Sequence, residues 1–223
     1  MNNIDLIIFD CDGTLTDSEI LNNEALLEVL HEDGFTQFTL DHAFHHWVGT
    51  TVTNIMLAIQ METGRMPSPD TVQKFVSRVA QKQTTQLKAV EGADALIAAA
   101  AQKYKVCVAS NGERSNVVQS LVLTGLKKHF HDDHVFTKIQ VKHPKPAPDL
   151  FLFAALQMGV SPERCVVIED SVAGVRAGVA AGMTTFGFTG ASHDAQKQEK
   201  ILESAGATSV FPRLIHIQER LTL

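Results

Sequence analysis

Two rhythms of apolar and polar positions divide the chain. Residues 4–9, a short run rich in Ile and Leu, have the length and composition of a buried strand. The pattern then turns helical. Ile20, Leu21, Ala25, Leu26 and Leu30 recur at helical spacing, with Ser18 placed to cap the segment and Asp33-Gly34 to stop it. Further helices are predicted at about 40–47, 52–62 and 69–87, with Met66-Pro67-Ser68-Pro69 as the connection before the last. From residue 90 strand and helix alternate. Strands are predicted at 104–109, 134–137, 165–168 and 184–188, and helices at 93–102, 115–123, 147–158, 172–181, 194–204 and 212–221. Such alternation implies a parallel sheet with helices on both faces. The strand at 4–9 is too apolar to stand alone and must join that sheet. The expected fold class is α/β: a Rossmann-like parallel sheet flanked by helices, from 1–15 and 89–223, with 16–88 inserted as a helical bundle.

Composition narrows the partners. The 223 residues suffice for one large domain with an insert, and 44% hydrophobic with 20% charged residues is ordinary for a soluble chain. The net charge is −6 and no long basic run exists, which argues against a nucleic-acid partner. An acidic chain acting on an anion must build positive charge locally, from a lysine and a metal. Cys11, Cys107 and Cys165 lie far apart, each in or just after an apolar strand, so buried free thiols in a reducing compartment are expected. No signal peptide and no apolar run of membrane-spanning length is present, so the expected location is cytoplasmic, with no membrane partner.

The candidate chemistry lies at strand ends, where open α/β sheets bind ligands. Asp10 and Asp12 stand two residues apart where the first strand stops, and Gly13 permits a sharp turn. Ser110-Asn111-Gly112 follows an apolar strand and precedes a helix, a setting that suits an anion. Lys145 is bracketed by Pro144 and Pro146, which stiffen the backbone around it. Glu169-Asp170 ends another buried strand. Facing Asp10 and Asp12 it would be repelled unless a cation sat between, and hard carboxylate oxygens suit Mg²⁺. Together these residues are expected to hold Mg²⁺ on carboxylates and a backbone carbonyl. Ser110 and Lys145 would bind a phosphate dianion, leaving Asp10 to attack phosphorus.

The ordered motifs DCDGT, VASNG, KPAPD and IEDS resemble those of the haloacid dehalogenase superfamily of phosphotransferases, in the branch of β-phosphoglucomutase and small sugar-phosphate phosphatases. The resemblance spans essentially the whole chain, and makes the insert at 16–88 a cap. It implies Asp10 as the nucleophile that forms an aspartyl-phosphate and Asp12 as general acid, then base. It further implies Ser110 and Lys145 as phosphate-binding catalytic residues, with Asn111 reaching the phosphate or the substrate. The implied metal set is Asp10, Asp12 through its main-chain carbonyl, Glu169 and Asp170. Asp12 argues against a dehalogenase, because halide leaves without a proton. A mutase usually carries a histidine where this chain has Asn22, and a cap arginine where Trp47-Val48-Gly49-Thr50-Thr51 has no basic residue. These departures favour hydrolysis over transfer. Gly49 and Thr50 are the candidate specificity residues. The leading expectation is a Mg²⁺-dependent phosphatase of a sugar phosphate or sugar-acid phosphate such as 6-phosphogluconate. A β-phosphoglucomutase-type transferase and a non-catalytic phosphometabolite-binding protein are the alternatives.

Overall fold

The computed structural model describes residues 4–47 and 50–223. The chain divides into two compact units, Met1–Asp17 with Lys88–Leu223, and Ser18–Leu87. These boundaries lie one or two residues from the expected division into 1–15 with 89–223, and 16–88. Thr16 pairs with Ala89 in an antiparallel bridge, and the Asp17 N–H donates to Lys88 O at 3.0 Å, so both linkers leave the first unit side by side.

The first unit is built on a parallel sheet of β1 (Leu6–Phe9), β2 (Lys105–Ser110), β3 (Val135–Thr137), β4 (Cys165–Glu169), β5 (Thr184–Phe188) and β6 (Ser209–Phe211), in the order β3-β2-β1-β4-β5-β6. The sequence pattern does not predict β6. It is three residues long and only partly buried, so no apolar run marks it. β1 lies at the centre, in register with β2 (Ile8 opposite Cys107) and β4 (Ile8 opposite Val167). Strand order reverses at β1, and in a sheet of this order the crevice beyond its carboxyl end is where ligands bind.

The central strands are buried on both faces, which is why β1 and β4 read as near-continuous apolar runs. Ile7 and Phe9 point to one side, packing with α5 (Ala93–Lys103), α6 (Arg114–Leu123) and α10 (Leu214–Arg220) through Leu96, Leu121 and Ile217. Leu6 and Ile8 point to the other, packing with α7 (Asp149–Gln157) and α8 (Val172–Ala180) through Phe151, Ala154 and Ala177. One more helix, α9 (Ala195–Ser204), lies between β5 and β6 in the chain. Cys11, Cys107 and Cys165 are buried free thiols, and burial raises the thiol pKa of each.

The second unit holds α1 (Glu19–Glu32), α2 (Leu40–His46), α3 (Val52–Thr63) and α4 (Thr71–Gln86) around a core that includes Leu26, Leu30, Phe35, Phe38, Trp47 and Ile59. Glu24 and Glu28 on α1 meet Lys82 at 2.9 and 2.8 Å, while Glu28 and Glu32 meet Arg78 at 2.7 Å each. The residue order along these pairs runs oppositely on the two helices, so α1 and α4 are antiparallel. At the foot of α1, Asp33 accepts the Ser68 N–H at 3.0 Å and the Thr71 hydroxyl, which ties the start of α4 to the end of α1. Among the described residues no helix is long and apolar enough to cross a membrane.

Candidate active site

β1 delivers both aspartates. Asp10 directly follows it, and its N–H donates to Ile168 O at 3.0 Å, so the neighbouring strand fixes its backbone. The chain then turns through Gly13 at φ 80°, with the Leu15 and Thr16 amides both on Cys11 O. Asp10 is buried at the strand end and Asp12 is exposed. The Thr16 hydroxyl donates to Asp12 Oδ1 at 3.4 Å.

β2 delivers Ser110, buried, whose Oγ accepts the Gly112 N–H at 3.0 Å. A Cβ on Gly112 would fall 3.3 Å from Ser110 Oγ and 3.8 Å from Asp12 Oδ2, so the Asp12 carboxylate faces the Ser110–Gly112 turn. The parallel pairing of β1 with β2 brings these two strand ends side by side.

Lys145 is 6% exposed. Its ammonium donates to Asp10 Oδ1 and Glu169 Oε1 at 2.6 Å each and to Ala109 O at 2.7 Å, which matches three donors with three acceptors. The Phe151 ring lies 4.7 Å from the same nitrogen. Burial opposes the charge on Lys145, but Asp10 and Glu169 outweigh it and hold its pKa above the ordinary lysine value. The Asn111 carboxamide grips the main chain of Lys145: Nδ2 donates to Lys145 O at 3.0 Å, and Oδ1 accepts the Lys145 N–H at 3.1 Å.

β4 delivers the acidic pair. Glu169 is buried, and its Oε2 accepts both the Ser171 N–H (3.0 Å) and the Ser171 hydroxyl (2.9 Å). Ser171 in turn caps α8 by accepting the Gly174 N–H at 3.0 Å. Asp170 Oδ1 accepts the Thr14 hydroxyl at 2.9 Å, and the Asp170 carbonyl accepts Gln198 Nε2 at 2.6 Å. Burial pushes the Asp10 carboxyl up to about 8 against the opposing pull of Lys145, with Glu169 and Asp12 adding to the rise. Asp170 is also raised, by burial and then by Glu169 and Asp10.

Asp10, Glu169 and Asp170 each offer an oxygen, all within 4.8 Å of one another. This donor set fits a hard divalent cation: the groups are oxygens only, and two of the crowded carboxylates sit above their ordinary pKa through burial first and then through one another's charge. The Asp12 side chain is not in this group. Thr50 belongs to the helical unit and lines a cavity of about 220 Å³ there, with Glu19, Asn22, Asn23 and Trp47. Gly49 lies outside the described residues.

Several contributors went unassigned from sequence. Thr14 and Ser171 stand inside the DCDGT and IEDS motifs, and Ser171 carries a helix-cap signal. Gln198 reaches Asp170 from a helix that no motif connects to the site.

A family model described as haloacid dehalogenase-like hydrolase matches residues 7–188. The chain belongs to the haloacid dehalogenase-like hydrolase family. It is 32% identical over 195 residues to 6-phosphogluconate phosphatase of Escherichia coli (strain K12), covering 87% of this chain and 86% of that protein. It is also 32% identical over 179 residues to fructose-1-phosphate phosphatase YqaB of the same organism, covering 79% and 92%. A HAD family hydrolase from Deinococcus radiodurans R1, solved with bound phosphate and sodium, superposes with a TM-score of 0.87 at 31% identity, covering 100% of this chain and 96% of that one. With phosphatases as its relatives across most of its length, this haloacid dehalogenase-like hydrolase is a phosphoric monoester hydrolase.

Proposed function

We propose that this hydrolase cleaves a small sugar phosphate or sugar-acid phosphate, such as 6-phosphogluconate, in a Mg²⁺-dependent reaction through an aspartyl-phosphate on Asp10. The observation that carries this reading is the convergence of Asp10, Lys145 and Glu169 at the carboxyl end of β1, with Lys145 Nζ 2.6 Å from both carboxylates. An Asp10 oxygen attacks phosphorus as the ester P–O bond breaks. Asp12 gives its proton to the leaving alkoxide, then takes one from the water that attacks the aspartyl-phosphate and releases inorganic phosphate. Ser110 and Lys145 supply a hydroxyl and a positive charge to the phosphoryl oxygens as charge develops there. Asp10, Glu169, Asp170 and the Asp12 carbonyl would hold the metal, whose contribution when bound is to neutralise charge between carboxylate and phosphate.

The helical unit is assigned the role of cap and substrate selector, with Gly49 and Thr50 in its specificity loop. Its cavity supports a hydroxyl-rich substrate, since Asn22, Asn23, Glu19 and Thr50 all offer polar groups. Among the described residues its lining has no Lys, Arg or His, in keeping with a substrate that brings one phosphate. The two E. coli relatives are each 32% identical and carry different substrate names, so the proposal is made for the class of sugar phosphates, with 6-phosphogluconate as one member.

The test is phosphate release from a panel of 6-phosphogluconate, hexose and pentose phosphates, phosphoglycolate, nucleotides and β-glucose 1-phosphate, with Mg²⁺ and with EDTA. Mg²⁺-dependent release from sugar phosphates, abolished in Asp10→Asn, is expected. Isomerisation of β-glucose 1-phosphate without net release would move the assignment to a mutase. No turnover of the panel or of p-nitrophenyl phosphate would refute the proposal.

A further inference from the structure

Lys145 sits in a segment with few means of holding itself. Pro144 and Pro146 have no N–H, so of three successive residues only Lys145 offers a main-chain donor. That donor goes to Asn111 Oδ1 at 3.1 Å, and the Lys145 carbonyl accepts Asn111 Nδ2 at 3.0 Å. One planar carboxamide thus meets both main-chain polar groups of a residue 34 positions away, in the manner of a single rung of sheet. Asn111 directly follows Ser110, the last residue of β2, so its own backbone is set by the sheet. The neighbouring polar contacts of the segment are local. Ala147 N–H goes to Pro144 O at 3.0 Å, and the His143 ring meets Asp149 at 3.1 Å.

We infer that Asn111 is a positioning residue for Lys145: its carboxamide clamps the lysine's main chain to the end of β2, so that the ammonium reaches Asp10 and Glu169. This rests on the phosphatase reading for its consequence in catalysis, but the clamp itself does not. Both ends of the Asn111 carboxamide are engaged with the Lys145 main chain, a task beyond the substrate contact expected of this residue. A long side chain aimed from a mobile backbone would sample many positions, and small misplacements of a charged group at a reacting centre are costly. Fixing the backbone at one end and the ammonium at the other leaves Lys145 a single course through the core.

Two readouts separate the clamp from its catalytic use. The first is hydrogen exchange of the Lys145 amide, followed by mass spectrometry in peptides spanning 142–148, with the Ala147 amide as internal reference. In Asn111→Ala the Lys145 amide is expected to exchange at least about tenfold faster, because its acceptor is gone. Asn111→Asp retains an acceptor and is expected to keep most of the protection, which also serves if the alanine variant folds poorly. Unchanged protection in Asn111→Ala overturns the clamp.

The second readout is a double-mutant cycle on p-nitrophenyl phosphate. Asn111→Ala is expected to lower kcat/KM by about tenfold or more in the parent protein, and by less than about twofold in a Lys145→Ala background. Full loss in both backgrounds would mean that the carboxamide acts on the substrate directly, and would overturn the positioning role. A parent protein with no Mg²⁺-dependent release overturns the phosphatase reading and the positioning role with it, while the exchange result still decides the clamp.

Discussion

Gly174→Ala tests whether Glu169 is held where Lys145 needs it. A Cβ on Gly174 would fall 1.8 Å from Glu169 Cδ and Oε1 and 2.3 Å from Oε2. No side chain tolerates such contacts, so the carboxylate or the first turn of α8 must move. Glu169 is 1% exposed and bonded to Lys145 and twice to Ser171, so it has no free space to enter and no partner to spare. Overpacking of this kind costs about 1–3 kcal/mol, and a weakened charge-assisted bond adds about 1.5–3 kcal/mol. With partial relaxation we expect a loss of about 2–4 kcal/mol, or roughly 5–15 °C in the melting temperature of a chain this size. The catalytic effect should exceed what stability explains. Displacing the acceptor of Lys145 should lower kcat/KM by about 100-fold, the scale of losing one aimed donor at a reacting oxyanion. Gly178→Ala is the control, on the same helix, where a Cβ would meet Thr185 Oγ1 at 2.4 Å, away from the acidic pair. It should cost comparable stability, yet retain kcat/KM to within about threefold well below its melting temperature. Both are measured on p-nitrophenyl phosphate beside thermal melts. Wild-type kcat/KM in Gly174→Ala, or equal activity losses in the two variants, would refute the reasoning.

Asp12→Asn should slow release of alkyl alcohols far more than of p-nitrophenol, a leaving group that needs little protonation; equal losses on both would contradict the acid role. Gly13→Ala would strain a residue at φ 80° and drive a Cβ to 2.2 Å from Asp170 Oδ2, so the Mg²⁺ concentration for half-maximal activity should rise about tenfold or more. An unchanged metal titration would show that Asp170 does not serve the metal. In the helical unit, hydrogen bonds from Lys82 and then Arg78 hold the Glu28 carboxyl below its ordinary pKa. The associated stability is present above the unfolded value of 4.5 and is lost as pH falls through the lowered native one. The pairs are partly exposed, so Arg78→Ala should cost no more than about 1 kcal/mol at pH 7. That difference should shrink at pH 3 and in high salt, and a pH-independent difference in denaturation midpoint would contradict it. Finally, Cys11, Cys107 and Cys165 are buried with raised thiol pKa values, so a thiol reagent at pH 8 should label the native protein slowly and the unfolded protein at all three sites.

What could be read from sequence follows from how local each signal is. β1 and β4 are legible because strands buried on both faces must be apolar throughout, and the acidic residues that end them interrupt that run sharply. The helical insert is legible from its period, though the period misplaces some side chains. Ile20, counted on the apolar stripe of α1, is 43% exposed, while Phe35 and Phe38, outside any predicted helix, lie in the core of that unit. Ser18 occupies the cap position of α1 without capping through its side chain. In the site, the residue types at strand ends reveal the chemistry, but not who holds whom. Asn111 and Lys145 are 34 positions apart, and no periodicity tells a carboxamide to bond a main chain rather than a ligand. Gly174 is similar: nothing in its sequence context tells that it makes room for the Glu169 carboxylate, whereas Gly178 packs against Thr185.

The charges explain why these residues need one another. Asp10, Glu169 and Asp170 crowd together against the single positive charge of Lys145. At an effective dielectric of about 20, each like-charged pair at about 4 Å costs about 4 kcal/mol, so three ionised carboxylates are too many for one ammonium. Burial raises the Asp10 carboxyl to about 8 and raises Asp170 as well, and the neighbouring carboxylates add to both shifts. A protonated Asp10 is a poor nucleophile, and an approaching phosphate dianion would aggravate the repulsion further. Lys145 alone cannot resolve this, since it already shares its hydrogens among Asp10, Glu169 and Ala109. In the proposed reaction a divalent cation held by the same carboxylates would favour their ionised forms, and so an anionic Asp10. The burial that aims Asp10 also raises its pKa, and the metal dependence we propose follows from that geometry.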